Sequence, residues 1–520
     1  MRHLRLTMAL LTAVGATQVY QENLYGISTG ISYYMKITIG QPTYSAATSK
    51  ASAPNTFTLL IDTGSSNTAV ATTSCCANLN MHTYSCAKSP TCEPYKSNEA
   101  VAVNYVVGSW SGILVQDTFS SPNITALPNI PFATVTAQTD FFDGGFDGIL
   151  GMAFSSIAEP SSNPPSTVFE ALVTQQTVAD VFSLQLCGVL QPYVDGYTPI
   201  STAGHIVLGG IQAPNTSPLY RGQIFYTPLK KWYVVLVTGI GYGNSSLGFG
   251  CSTYNTPKAI VDSGTSNLVV PTAVYATLVA QIQAATLDAI PSFPLDYFSD
   301  SVVCCEAYCD PSNAASPLLS LPSISVTLAF GTDTNDIVSV SIPPRYYWRP
   351  IAASTGFKTS SCRIFGITEG SGTILGDVFM DGLFIVHDRA GAQLGLAVAD
   401  NCANKANSSK TITLGRGSSW CDCLASTTIT QSNLLSAHWP GIRPCFFWAW
   451  WTYVIVVSIA IVALCLVASI VLWLIKYRRR QRPRAQLQEV LLDGGPSPML
   501  SSNTSDDIQV AEDHRRAVEI

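Results

Sequence analysis

The sequence predicts a mainly β protein of two like lobes followed by one C-terminal membrane-spanning helix. Three observations carry that prediction. Short runs rich in Val, Ile, Thr and Tyr recur between Gly and Pro punctuation, the mark of strands and turns. One strand-and-loop motif occurs twice, with like neighbours in the same order. Near the C-terminus, Tyr453 to Ile475 is apolar and uncharged, long enough to cross a bilayer as a helix. The 520 residues, 47% hydrophobic and 12% charged, supply material for two cores. A net charge of −6, with no dense basic run except the one after Ile475, argues against a nucleic-acid partner.

The repeated motif is Thr58-Leu59-Leu60-Ile61-Asp62-Thr63-Gly64-Ser65-Ser66-Asn67 and then Ala259-Ile260-Val261-Asp262-Ser263-Gly264-Thr265-Ser266-Asn267. Each copy reads as a buried strand ending in a tight polar loop. Tyr33 to Gly40 precedes the first copy and Trp232 to Gly241 the second. Phe146 to Phe154 comes after the first and Gly372 to Phe379 after the second. The repeated order of aromatic strand, Asp loop and apolar-apolar-Gly predicts two lobes that face each other and contribute one aspartate each to a shared site.

Such a pair has a chemistry of its own. Two carboxylates a few ångströms apart cannot both ionise cheaply, so they share a proton. The charged one can take a proton from a water, while the protonated one donates to a substrate carbonyl. This is amide hydrolysis by general acid–base catalysis at Asp62 and Asp262, with no cofactor and no metal. Gly64 and Gly264 admit backbone N–H groups to the carboxylates. Ser65 and Thr265 are placed to bond the outer carboxylate oxygens, and Thr63 and Ser263 to bond across the pair and lock the loops together. One Asp-Thr-Gly alone is an ordinary turn; the repetition is what raises it above turn statistics.

With these residues the chain resembles the pepsin-like aspartic proteases, and among them the membrane-anchored memapsin or β-secretase group. The resemblance rests on Asp62 to Asn67, Asp262 to Thr265, Phe182 to Gly188, Tyr226-Thr227-Pro228 and the C-terminal anchor. It implies the bilobal pepsin-like fold with pseudo-twofold lobes. It also implies a flap over Asn104 to Gly112, with Tyr105, Gly108 and Trp110 contacting or covering substrate. Val106 and Val107 stand at the flap tip where the family usually has polar residues. Lys230 and Lys231 stand where related β-secretases carry arginines; they read either as tuning the accepted side chain or as solvated strand-end charges.

At the N-terminus, Arg2 and Arg5, the apolar run to Val14 and the small Gly15 and Ala16 mark residues 1–16 as a signal peptide. Residues 17–32 are then a short N-terminal or pro segment, shorter than the family's basic propeptide. Gly26-Ile27-Ser28-Thr29-Gly30 matches G-x-S-x-G but is expected to lack the preceding strand of a nucleophile elbow. The lobes are expected over 33–225 and 226–423, with a short helix over Thr167 to Thr177. In a secreted context Cys75, Cys76, Cys86 and Cys92 read as disulfides rather than zinc ligands, with pairing open. The resemblance implies Cys187–Cys402, Cys251 with Cys421 or Cys423, and Cys304 or Cys305 with Cys362; Cys309 has no evident partner. Sequons stand at Asn123, Asn215, Asn244 and Asn407.

Residues 424–444 read as a stalk and 445–475 as the membrane segment, with its core at 453–475. Trp448, Trp450, Trp451 and Tyr453 flank one end, Trp473 and Tyr477 the other. The basic run Lys476 to Arg484 then makes 476–520 a cytoplasmic tail, polar and disordered, with Glu489-Val490-Leu491-Leu492 resembling a sorting signal. The expected protein is a monomeric, single-pass type I membrane endopeptidase of the secretory pathway, endosome or plasma membrane, its lobes lumenal or extracellular. Its partners are the bilayer and a peptide or membrane-protein substrate. Two alternatives are a broad-specificity endolysosomal aspartic protease and a catalytically weak pepsin-fold binding protein.

Overall fold

The computed structural model describes residues 18–490 except 27–31, 42–43, 46–49, 52–54, 97–98, 106, 143–144, 189–201, 230, 300–301, 305–315, 331–334, 351–361, 403–408 and 418–449; side chains of the last helix are described over 454–480. The chain divides into two units, Met1–Cys445 and Phe446–Ile520.

Strands dominate the first unit. The strand Tyr33–Ile39 buries Tyr33, Met35, Ile37 and Ile39 and turns Tyr34, Lys36 and Thr38 outward, the period of a half-buried strand. It pairs antiparallel with Thr56–Asp62, whose last four residues are all buried because strands cover them on both sides. Gly148–Gly151 then runs parallel to Leu59–Asp62 and antiparallel to Ala69–Val70. The second half repeats this layout. Val234–Val235 pairs antiparallel with Ala259–Ile260, Thr373–Leu375 runs parallel to Ala259–Val261, and Leu268–Val269 is antiparallel to Ile374–Leu375. Apolar side chains of both halves, Ile61 and Leu150 with Val261 and Leu375, belong to one continuous core.

A long 14-stranded sheet runs from Tyr220–Pro228 through Gln393–Ala399, Leu383–Asp388, Val181–Leu186, Gly204–Leu208 and Tyr20–Gly26 into the first Asp strand and beyond. It bears on three expectations. The boundary expected at 225/226 falls inside the continuous strand Tyr220–Pro228, which pairs with Gln393–Ala399, so the two halves share a sheet. Residues 20–26, expected in an N-terminal or pro segment, form a strand paired with both Gly204–Leu208 and Tyr33–Tyr34, so they belong to the folded body. That strand also precedes Gly26-Ile27-Ser28-Thr29-Gly30, contrary to expectation. The next element is its antiparallel hairpin partner and not a helix, so the segment is still no nucleophile elbow.

The helix Val168–Gln176 starts with a capping box between Thr167 and Glu170 and buries Val168, Phe169, Ala171 and Leu172. The second unit holds the helix Trp450–Val490, within which Val454–Arg480 is long and apolar enough to cross a membrane. The helix runs 15 residues past 475, from 476 to 490, where a disordered tail was expected. Its Arg, Gln, Leu and Glu residues are good helix formers and extend a helix already nucleated by the apolar span. The signal peptide, the stalk, Leu491-Leu492, Cys305, Cys309, Cys421, Cys423 and Asn407 lie outside the described residues.

Candidate active site

The two Asp loops meet at the ends of their strands. A glycine on the facing strand makes each loop possible. A Cβ on Gly151 would stand 2.3 Å from the Ser66 carbonyl carbon, and one on Gly376 would stand 2.2 Å from the Thr265 oxygen. Backbone bonds then seat the loops: Met152 N–H donates to Asp62 O at 2.8 Å and Asp377 N–H to Thr265 O at 2.9 Å.

Each carboxylate is held in the same way by its own loop. Gly64 N–H donates to Asp62 Oδ1 at 2.7 Å and Gly264 N–H to Asp262 Oδ1 at 2.8 Å. The Ser65 hydroxyl donates to Asp62 Oδ2, and the Thr265 hydroxyl to Asp262 Oδ2 at 2.6 Å. The loops are also tied across. Ser263 N–H donates to Thr63 Oγ1 at 2.9 Å, and Thr63 Oγ1 to Val261 O at 3.2 Å. Reciprocally, Thr63 N–H donates to Ser263 Oγ at 3.2 Å, and Ser263 Oγ to Ile61 O at 2.7 Å. Each glycine lies against the opposite aspartate: a Cβ on Gly64 would fall 2.6 Å from the Asp262 carboxylate, and one on Gly264 would fall 2.4 Å from Asp62 Oδ1.

Asp62 is 4% exposed and Asp262 7%. Burial, and after it the charge of Asp262, pushes Asp62 well above the usual carboxylate range, while the Ser65 hydroxyl pulls the other way. The Asp262 carboxyl lies close enough for its charge to act on Asp62. That proximity and the raised Asp62 fit one proton held between two carboxyl groups.

The flap is the hairpin of Ala100–Asn104 and Ser109–Ser120, closed by Tyr105 N–H on Gly108 O at 3.0 Å. Gly108 adopts φ +80, and a Cβ there would meet Asp140 O at 2.5 Å. Trp110 is buried, and its Nε1–H donates to the Tyr105 hydroxyl at 3.2 Å. That hydroxyl also faces Ser65, and burial, with the Asp62 charge second, pushes it up. Val107 is 74% exposed at the tip, whereas Val106 lies outside the described residues.

Residues to which no role was given from the sequence complete the site. Phe141 stacks on Tyr105 at 5.2 Å, a contact between sequence-distant loops that only the fold creates. Asn67 and Asn267, three residues past Gly64 and Gly264, brace their loops; their recurrence in both motifs was the available signal. Lys258 Nζ lies over the Trp232 ring, and burial pulls it down to about 8. Lys230 and the side chain of Lys231 lie outside the described residues.

Cys187 is bonded to Cys402 and Cys304 to Cys362, while Cys75 pairs with Cys76 and Cys86 with Cys92. Cys251 is disulfide-bonded. Asn123, Asn215 and Asn244 are exposed. Asn123 Nδ2 already donates to Gln21 O at 2.8 Å.

Fold and site together define a two-lobed aspartyl protease. The chain belongs to that family: the model for eukaryotic aspartyl proteases matches residues 32–399. Among its relatives is a β-secretase of Strongylocentrotus purpuratus, 33% identical over 395 residues, which cover 71% of this chain and 66% of that protein. Pepsin A of Gallus gallus is 28% identical over 382 residues, 70% of this chain and 84% of the pepsin. The chain therefore spans just under two thirds of the β-secretase relative.

Proposed function

We propose that this protein is a single-pass, type I membrane aspartic endopeptidase that cleaves membrane-protein ectodomains. The observation that carries the reading is the cross-facing pair of Asp62 and Asp262, both buried and each packed against the glycine of the opposite loop. Asp62, held above the carboxylate range, carries the shared proton and donates it to the substrate carbonyl oxygen. Asp262 accepts a proton from the attacking water, whose oxygen bonds the carbonyl carbon. The tetrahedral diol then passes a proton to the amide nitrogen, the C–N bond breaks, and acid and amine leave. Glycine N–H and hydroxyl bonds keep both carboxyls aimed, which lowers the reorganisation needed in the transition state. Tyr105 and Phe141 cover the reacting bond and keep water from it.

Membrane attachment rests on the apolar helix, its aromatic flanks and the basic run beyond it, which by the positive-inside rule puts the lobes outside or in the lumen. A protease tethered to a bilayer meets tethered substrates at raised effective concentration, which supports the substrate class. The test uses the full-length chain in detergent against a mixed-sequence peptide library from acidic to neutral pH. Cleavage with an acidic optimum, blocked by a pepstatin-type inhibitor and lost in Asp262→Asn, is expected. A folded, disulfide-intact protein that cleaves nothing at any pH would refute the reading. Co-reconstitution with a tethered and a soluble version of the best peptide then tests the substrate class: faster cleavage of the tethered form is expected.

A further inference from the structure

Behind the second Asp loop lies a cluster of buried charges. Arg349 is 1% exposed, Asp377 0%, Asp381 9% and Lys410 1%. Arg349 comes from the strand Trp348–Pro350, and its stem runs past Gly366, where a Cβ would fall 2.6 Å from its Cδ. Its Nη1–H donates to Asn267 Oδ1 at 3.1 Å, and Nη2 faces Asp377 Oδ2 at 3.9 Å. Asp377 begins the short helix Asp377–Met380, whose N–H groups bond back to the Asp262 loop: Asp377 N to Thr265 O at 2.9 Å and Val378 N to Ser266 O at 3.2 Å. Lys410 grips the far side of that helix, donating to Val378 O at 2.9 Å and to Phe379 O. Asp381 accepts from the Tyr33 hydroxyl, so the cluster reaches the strand Tyr33–Ile39 of the other half.

The first loop is braced otherwise. Asn67 Nδ2 donates to Glu159 O at 2.7 Å and Glu159 N–H to Asn67 Oδ1 at 2.8 Å, a closed pair of backbone bonds. Ser66 Oγ donates to Phe154 O at 2.7 Å. Charges removed from water cost several kcal/mol each unless they are paired in good geometry. A cluster buried this deeply and aimed at one catalytic loop therefore needs a role: Arg349 reaches that loop by a charge-assisted bond to Asn267 Oδ1, with Asp377 at ion-pair distance behind it.

We propose that Arg349 is a positioning residue for Asp262: through Asn267 and through the Asp377 helix it fixes the loop that aims this carboxyl at the shared proton. The inference rests on the aspartic protease reading and names what sets the second half of its site. Arg349 touches neither substrate nor the reacting atoms. Its removal shifts the loop rather than the binding cleft, and small misplacements of a catalytic group cost rate far more than affinity.

The test measures kcat and KM of the full-length protein in detergent, on the best peptide from the library, for Asn267→Ala, Arg349→Lys, Arg349→Met and the Asn267→Ala/Arg349→Lys double variant. Asn267→Ala leaves every charge paired, so it reports on the link even where an Arg349 variant does not fold. A roughly tenfold fall in kcat with KM within about twofold is expected for Asn267→Ala. Arg349→Lys should retain more of kcat than Arg349→Met, and the double variant should lose little more than the worse single, because both act through one contact. Wild-type kcat in a folded Asn267→Ala, a loss confined to KM, or an additive double variant each overturns the inference while leaving the protease reading intact. A wild type that cleaves nothing overturns that reading, and this inference with it.

Discussion

Asp62 and Asp262 sit in loops that match from the front and differ from behind. In both, a glycine N–H holds the inner carboxylate oxygen and a hydroxyl three residues on holds the outer one. In both, the residue after the aspartate reaches across to the opposite strand. Behind the first loop, Asn67 closes on the neutral backbone of Glu159. Behind the second, Asn267 meets the buried guanidinium of Arg349. The flap adds a further difference, since the Tyr105 hydroxyl faces Ser65 of the first loop. Chemistry constrains only what touches the shared proton, so a duplicated site keeps its face while its supports diverge. How far likeness in front extends to likeness in function can be measured.

The largest effects belong to the carboxyls. Asp62→Asn and Asp262→Asn should each lower kcat/KM by at least about 10²–10⁴, the range of general acid–base catalysis. Equal losses would show that the different supports serve equal partners. Stability separates the sites further. Asp62 is pushed up by burial and by its neighbour's charge. Its contribution to stability is therefore full below the unfolded value, about 3.9, and is lost as pH rises through the folded value. The melting-temperature difference of Asp62→Asn from wild type should be least favourable to the variant near pH 3 and should move in its favour toward pH 7. A pH-independent difference would show that the carboxyl is not held up in the folded state.

The glycines come next. A methyl on Gly264 has the Asp62 carboxylate 2.4 Å away, and one on Gly64 meets all three carboxyl atoms of Asp262 at 2.6 Å. Either alanine should push the opposite aspartate aside and cost roughly 10²-fold in kcat. Because each glycine lies against the other loop's carboxyl, Gly64→Ala also probes the Arg349-backed support. If that support is the stiffer, the loss in Gly64→Ala will be larger and the accompanying drop in melting temperature greater, because the loop cannot yield.

Those effects involve residues that the sequence displayed openly. The Asp loops could be read because the motif and its neighbours recur, and the apolar helix because no charge interrupts its run. What could not be read depends on partners distant in the chain. Tyr20–Gly26 is a strand because Gly204–Leu208 lies beside it, and nothing in its own mixed polarity announces that pairing. The expected lobe boundary at 225/226 lies within a strand, because Tyr220–Pro228 is held by Gln393–Ala399 from the far end of the chain. Arg349 and Lys410 stood in no motif. They are buried against the Asp377–Met380 helix, which meets Arg349 through Asp377 and Lys410 through its carbonyls. Phe141 carried no motif, and its place on Tyr105 comes from the fold.

The cross-links test the likeness itself. Thr63→Ala and Ser263→Ala each remove a hydroxyl that donates to the opposite strand and accepts from the opposite loop. Each leaves a buried carbonyl and a buried N–H unpaired, costing about 1–3 kcal/mol per group. The two variants should lose similar stability in urea unfolding. A clear inequality would show that one hydroxyl carries the lock and the other only adds to it.

The smallest effect isolates the flap side. Ser65 donates to Asp62 and holds it down against burial. In Ser65→Ala the Asp62 carboxyl should rise further and keep its proton to higher pH, so the alkaline limb of kcat/KM should move up. A hydrogen bond to a charged group, worth about 1.5–3 kcal/mol, corresponds to a shift of about 1–2 pH units. Tyr105→Phe keeps the ring on Phe141 and removes only the hydroxyl that faces Ser65 and accepts from Trp110. It should move the same limb in the same direction by less, since it acts on Asp62 through Ser65. In the Ser65→Ala background the tyrosine substitution should then move nothing more, because the hydroxyl it removes has already lost its route to the carboxyl. A further shift in that background would mean that Tyr105 reaches the aspartates by a second path, and the flap would no longer belong to one loop alone.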